Sequence, residues 1–162
     1  MPRPLRAALA ALVLAAFPAA ASEPPAKTPL QTIAEAGTTI RQMASNALVK
    51  VRHGVVGVGE DGAGAAGPGG CCAMNLERIR AALDSIRKEG QDLRRTLEKD
   101  KKAEGLEALD RLLAHAREVG VGADMLAAAT DSASAHGAVG GMAVQMNNFD
   151  RAWKDLVACC GP

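Results

Sequence analysis

Two pairs of adjacent cysteines are the chemically distinctive residues of this 162-residue chain: Cys71 with Cys72, and Cys159 with Cys160. In an exported protein an even number of cysteines indicates disulfides, and four cysteines allow three pairings. Pairing of neighbours is disfavoured because adjacent Cα atoms lie about 3.8 Å apart, which is closer than a disulfide prefers. The sequence therefore predicts cross-links between the two pairs, and both cross-pairings remain open.

Four thiols brought together would also bind a soft metal such as Cu(I) or zinc. In that alternative the four cysteines are the ligands and Met74, which closely follows the first pair, adds a thioether. Structural zinc sites, however, use cysteines two to four residues apart, and a vicinal pair is a poor chelate. Disulfides are therefore the favoured interpretation. No metal or other cofactor is expected, and a thiol-based metal carrier is the alternative.

Catalytic motifs are weak throughout the sequence. Asp131, Ser134 and His136 have the residue types of a hydrolase triad, but they lie within six residues of one another. The members of a triad normally converge from separate elements. The chain also lacks the GxSxG and HExxH motifs. We therefore expect no enzyme, and we interpret the chain as a partner-binding or structural protein.

The N-terminal segment has the pattern of a secretory signal peptide. Arg3 and Arg6 give a positive start, residues 5–17 form an apolar run, and small residues follow from Ala19 to Ala21. The run is shorter than the ~20 residues that span a bilayer. We therefore expect a signal peptide over residues 1–21, cleaved after Ala21 or Ser22, and a periplasmic or secreted protein.

The charge of the mature chain limits its partners. Two of the 19 Lys and Arg residues lie in the signal segment, so that 17 basic residues remain against 18 acidic ones. A near-neutral chain has no electrostatic basis for binding nucleic acid or an anionic membrane. A protein partner or a second copy of the chain is the expected kind of partner.

Composition and periodicity predict an all-α fold. The chain has no Tyr, one Trp and two Phe, whereas sheet proteins are rich in aromatic and β-branched residues. Residues 22–27 are predicted to be a disordered lead-in, and residues 28–162 a single helical domain. Thr28, Pro29 and Gln31 form the pattern that starts a helix, which extends to about residue 53. Eight of the 17 residues from 54 to 70 are Gly, which predicts a flexible loop.

The second predicted helix has an a/d heptad pattern from residue 76 to residue 97, with Asn75 as its N-cap. Its apolar stripe fails between Glu98 and Glu104, which indicates a bend or a turn. We expect the next element to end at residues 120–122, where two glycines occur, and a further helix to open near Asp124. Glycines at 137, 140 and 141 are expected to interrupt that helix. The charges from 75 to 118 are nearly balanced and are interpreted as a solvated surface.

The predicted cross-link constrains the topology. In an antiparallel bundle the helix ends alternate, so joining the C-terminus to the start of the second helix requires an odd number of helices. We therefore predict three long or five shorter helices, and a four-helix bundle is disfavoured. Leu76 and Ile79 should then pack near Trp153, Leu156 and Val157.

Overall fold

The computed structural model describes residues 27–53 and 71–160, which form four α-helices and, within these ranges, no strand. They are α1 (Pro29–Arg52), α2 (Cys71–Lys99), α3 (Ala103–Ala128) and α4 (Ser132–Cys160). The all-α prediction is confirmed, but the described residues contain four helices and not three or five. The predicted signal peptide at 1–21 and glycine-rich loop at 54–70 lie outside the described residues.

Helix α1 begins as its sequence predicts. The Thr28 hydroxyl accepts a hydrogen bond from the Gln31 backbone N–H at 3.3 Å, and the Gln31 side-chain oxygen accepts one from the Thr28 N–H at 2.9 Å. Pro29 occupies the first helical position, where its missing N–H would have had no partner. This capping box satisfies two of the N–H groups that a helix start leaves free.

The predicted break between residues 98 and 104 is a turn that separates α2 from α3. The Lys102 N–H donates to the Leu97 carbonyl at 3.0 Å, and the Lys101 N–H donates to the Glu98 carbonyl at 3.2 Å. These are the two hydrogen bonds of a Schellman motif, whose central residue adopts the left-handed conformation. Lys101 does so, with a φ of 53°, although glycine is the residue usually found there.

The helix ends predicted at glycines are wrong. Gly120 and Gly122 lie inside α3, and the glycines at 137, 140 and 141 lie inside the uninterrupted α4. The connection between these helices falls instead at residues 129–131. Asp131 starts α4 by accepting a hydrogen bond from the Ser134 N–H at 2.7 Å. The start of α2 also differs, because the helix begins at Cys71 and Asn75 lies within it.

The four helices form a ring in which each packs against the two that adjoin it: α1 on α2, α2 on α3, α3 on α4, and α4 on α1. Neighbours run antiparallel, as contacts at both ends of the α3–α4 pair show: Gly105 faces Cys160, and Gly122 faces Met142. The described residues bury no polar or charged side chain. The core is built from Phe149 and from aliphatic and methionine side chains, the largest of which are fully buried: Ile33, Ile40, Ile79, Ile86, Leu97, Leu109, Leu112, Met142 and Leu156.

Candidate binding groove and the cysteine pair

The C-terminal cysteines lie beside the turn between α2 and α3. A methyl group built on Gly105 would be 2.6 Å from Sγ of Cys160, 3.4 Å from Sγ of Cys159 and 3.2 Å from Cδ2 of Leu97. Both thiols are half-buried against the core. The C-terminus of α4 therefore packs at the end of α2, not at its start.

This placement does not confirm the predicted cross-link. Helix α2 rises about 39 Å from Cys71 to Leu97, at 1.5 Å per residue, so Cys159 and Cys160 sit at the opposite end of α2 from Cys71 and Cys72. The parity argument assumed the cross-link and so reached the wrong helix count. For the same reason, the predicted packing of Leu76 and Ile79 against the last turns of α4 is wrong. The side chains of residues 71–74 lie outside the description.

The two C-terminal thiols contact each other. Their Sγ atoms are 2.9 Å apart, and Sγ of Cys159 also lies 3.2 Å from the Leu156 carbonyl, to which it donates. Burial, followed by the hydrogen bond that the Cys160 thiol donates to Cys159 and by the negative charge of Cys159 when it is ionised, raises the pKa of Cys160 to about 11. The Lys102 ammonium acts in the opposite direction. Because the thiolate is the nucleophile and the metal ligand, this environment keeps Cys160 in its unreactive form.

The residues with triad chemistry serve the start of α4. Asp131 accepts from the Ser134 N–H, and the Ser134 hydroxyl donates to the Asp131 carbonyl at 3.0 Å. Nδ1 of His136 lies 2.7 Å from the Ser132 carbonyl and 3.2 Å from the Ser132 hydroxyl. The pKa of Asp131 is lowered, chiefly by the backbone hydrogen bond from Ser134. These four residues therefore form a helix cap.

A groove of about 730 Å³ lies between α2 and α3. The corresponding depressions between α1 and α2 and between α1 and α4 measure about 320 and 190 Å³. The groove has an apolar floor, formed on α2 by Leu83 and Ile86 and on α3 by Leu113, Ala116 and Gly120. Pockets that hold small molecules in proteins measure about 300–1,000 Å³, so the groove is of comparable volume.

Charged side chains form the two rims of the groove at heptad spacing. The α2 rim consists of Arg80, Arg87 and Arg94, and the α3 rim of Asp124, Arg117 and Asp110. Residues seven apart lie on one helix face about 10.5 Å from each other. Because the helices are antiparallel, the rims pair into three rungs: Arg80 with Asp124, Arg87 with Arg117, and Arg94 with Asp110.

The outer rungs are ion pairs, and the middle rung is not. Nη2 of Arg80 is 2.8 Å from Oδ1 of Asp124, and Arg94 pairs with Asp110. In the middle rung Arg87 turns to Asp84 of its own helix, 2.8 Å away. Arg117 makes no ion pair or hydrogen bond with a described residue. The groove thus carries one unbalanced positive charge at its centre.

The sequence contained the signal for these rims, although the balanced charge count concealed it. Arginines at 80, 87 and 94 and the Asp, Arg, Asp series at 110, 117 and 124 each repeat every seven residues. The heptad apolar pattern of α2 has the same period. What the sequence could not supply was the cross-helix register, which places Arg117 opposite Arg87.

Comparisons of the chain with protein-family models, with curated proteins and with solved structures found no match. Within residues 27–53 and 71–160, no helix has the length and hydropathy needed to cross a bilayer. Over the same ranges, no three or more His, Cys, Asp and Glu side chains are grouped so as to hold a metal ion.

Proposed function

We propose that the protein is an exported, non-catalytic helical-bundle protein that binds a protein partner along the groove between α2 and α3. The observation that carries the proposal is the groove itself: an apolar floor between two rims of charged side chains. Apolar surface flanked by polar residues is typical of a protein interaction site.

Export is the second part of the proposal and rests on the sequence of residues 1–21. The intact mass of the protein recovered from the periplasm or the medium tests it. Cleavage after Ala21 or Ser22 is expected, and retention of residues 1–21 would contradict it.

Partner binding is tested in the cell by a photoreactive amino acid placed in the groove. Gln91 is exposed and lines the groove, whereas Lys154 is exposed on α4 and does not. Crosslinking from position 91 should give an adduct of discrete mass, and crosslinking from position 154 should not give that adduct. The same adducts from both positions, or none from position 91, would show that the groove has no specific partner.

The thiol-based metal carrier is the second candidate, and the contact between Cys159 and Cys160 is the observation in its favour. In this arrangement one chain offers the metal two thiols at the end of α2, not four. Native mass spectrometry after addition of Cu(I) or zinc separates the candidates. Under our proposal no metal stays bound. One soft metal per chain, lost in the Cys159→Ser, Cys160→Ser variant, would favour the carrier.

A further inference from the structure

The middle rung of the groove points to the kind of partner that binds there. We propose that the groove holds an amphipathic helix of a protein partner, and that a carboxylate beside the apolar face of that helix binds between Arg87 and Arg117. This inference rests on the proposed function and names its partner class.

The charges of the rungs give the first step. An aspartate stands opposite an arginine in both outer rungs, but in the middle rung an arginine stands opposite an arginine. Like charges at facing positions repel each other, so this rung does not stabilise the α2–α3 contact as the two outer rungs do. A carboxylate from a partner would give the middle rung the negative charge that it lacks. Two guanidinium groups bind a carboxylate through strong, charge-assisted hydrogen bonds.

The shape of the groove gives the second step. The rim from Arg80 to Arg94 spans about 21 Å, or roughly four helical turns. Its floor combines Leu83 and Ile86 with Leu113 and Ala116, whereas the charges stay on the rims. This arrangement suits an amphipathic helix, whose apolar side chains at i, i+3, i+4 and i+7 pack on the floor of such a groove. The heptad spacing of the rims matches the charges that flank the apolar stripe of such a helix.

The third step is the size of the charge excess. Three of the four groove arginines already have an aspartate partner, which leaves Arg117 as the single unbalanced cation. One carboxylate at the centre of the partner helix is therefore sufficient, and a densely anionic surface is not required. This favours a protein helix over an anionic membrane, which binds through several basic residues together.

The test uses a synthetic amphipathic helix about three heptads long, with leucines at its a and d positions, glutamates beside them and a fluorescent label. A matched peptide has glutamine in place of each glutamate. Fluorescence anisotropy should show micromolar binding of the glutamate peptide to the mature protein, at least roughly tenfold tighter than that of the glutamine peptide. Equal binding of the two peptides, or no binding of either, would overturn the inference.

The decisive variant is Arg117→Asp, which gives the middle rung the same charge pattern as the outer rungs. It should weaken binding of the glutamate peptide at least roughly tenfold, whereas the midpoint of thermal unfolding should stay the same or rise. The control is Arg151→Asp, since Arg151 is exposed on α4 and lines none of the depressions described above. A similar loss of binding in the control would contradict the assignment.

A second matched pair of variants lies on α2. Arg87 and Arg95 each pair with an aspartate three residues earlier, and their side chains are 74% and 77% exposed. Only Arg87 lines the groove. Arg87→Glu should therefore weaken peptide binding and Arg95→Glu should not.

Two further outcomes separate the inference from the proposed function. In the first outcome, the protein binds vesicles of anionic phospholipid, the Arg117→Asp variant does not, and neither binds the glutamate peptide. The groove would then bind a membrane and not a helix, which would overturn the inference. A specific adduct from position 91 without peptide binding would leave the proposed function in place and reject the partner class. If position 91 gives no specific adduct and the glutamate peptide does not bind, both the proposed function and the inference are rejected.

Discussion

The α3–α4 interface and the α2–α3 interface place glycines opposite large side chains, but at different depths. At α3–α4 a methyl group on Gly122 would lie 2.5 Å from Cγ of Met142 and 3.5 Å from the Ala138 carbonyl oxygen. At α2–α3 a methyl group on Gly90 would meet only the tip of Leu113, with Cδ2 at 2.9 Å. The first glycine admits the body of a neighbouring helix, whereas the second admits the end of one side chain. The pair with the shallower contact is the pair that leaves a groove.

The largest expected effect on stability is that of a substitution at Gly122, which tests the deeper of the two contacts. Gly122→Ala forces α4 away from α3 and should lower the free energy of unfolding by about 1–3 kcal/mol. Gly90→Ala is the matched variant. The Leu113 tip can turn toward the groove, and alanine gains up to about 1 kcal/mol of helix propensity. In urea unfolding, Gly90→Ala should therefore leave the free energy of unfolding unchanged or raise it. Equal losses of this free energy in the two variants would contradict the difference in depth between the two contacts.

A smaller effect is expected at the turn that joins α2 to α3. Lys101 occupies a left-handed conformation, which costs an L-residue roughly 1 kcal/mol and a glycine almost nothing. Lys101→Gly should therefore raise the free energy of unfolding by up to about 1 kcal/mol. Lys99→Gly, in the last turn of α2, is the control and should be destabilising. A loss of stability in Lys101→Gly would show that the turn is not strained.

The smallest expected effect concerns the α4 cap, which secures the start of the deeper interface. The pKa of Asp131 is lowered from 3.8 by its hydrogen bonds to Ser134. The charged cap therefore stabilises the folded state fully above that value, and its contribution is lost as the pH falls through the lower, folded-state pKa. The Tm of wild type should exceed that of Asp131→Asn near neutral pH, and the gap should narrow on acidification. A gap independent of pH would contradict this assignment.

Two features fixed within one or two helical turns were predicted correctly from the sequence, whereas the Asn75 N-cap was not. The capping box at Thr28 and the turn after Lys99 depend on residues a few positions apart, and both are where the sequence places them. Gly120 and Gly122 failed as helix ends because their role is set by residues of other helices: Leu83 for the first and Met142 for the second.

The candidate site required knowledge of how helices pair. The cysteine cross-link was inferred from residue type without a measured proximity, and it led to the wrong helix count. The rim charges were visible as heptad repeats, but the basic and acidic residues from 75 to 118 nearly balance when they are only counted. Arg117, Asp110 and Asp124 occupy the same face of α3. Only the alignment of α2 with α3 shows that the two aspartates face arginines as ion-pair partners and that Arg117 faces another arginine.

The core formed by the described residues buries no polar side chain, so another feature must keep its helices from sliding past one another. In many coiled coils one buried polar residue makes a shifted alignment unfavourable. In this bundle, the match between a large side chain on one helix and a glycine on the next makes a shifted alignment unfavourable. Phe149 enters the space left by Gly37, and a slip of one heptad along α1 would place its ring against Leu30 or Ala44, where side chains already fill the space. The positions of a few glycines, where a side chain of the next helix takes the place of a methyl group, therefore favour the native alignment of the helices.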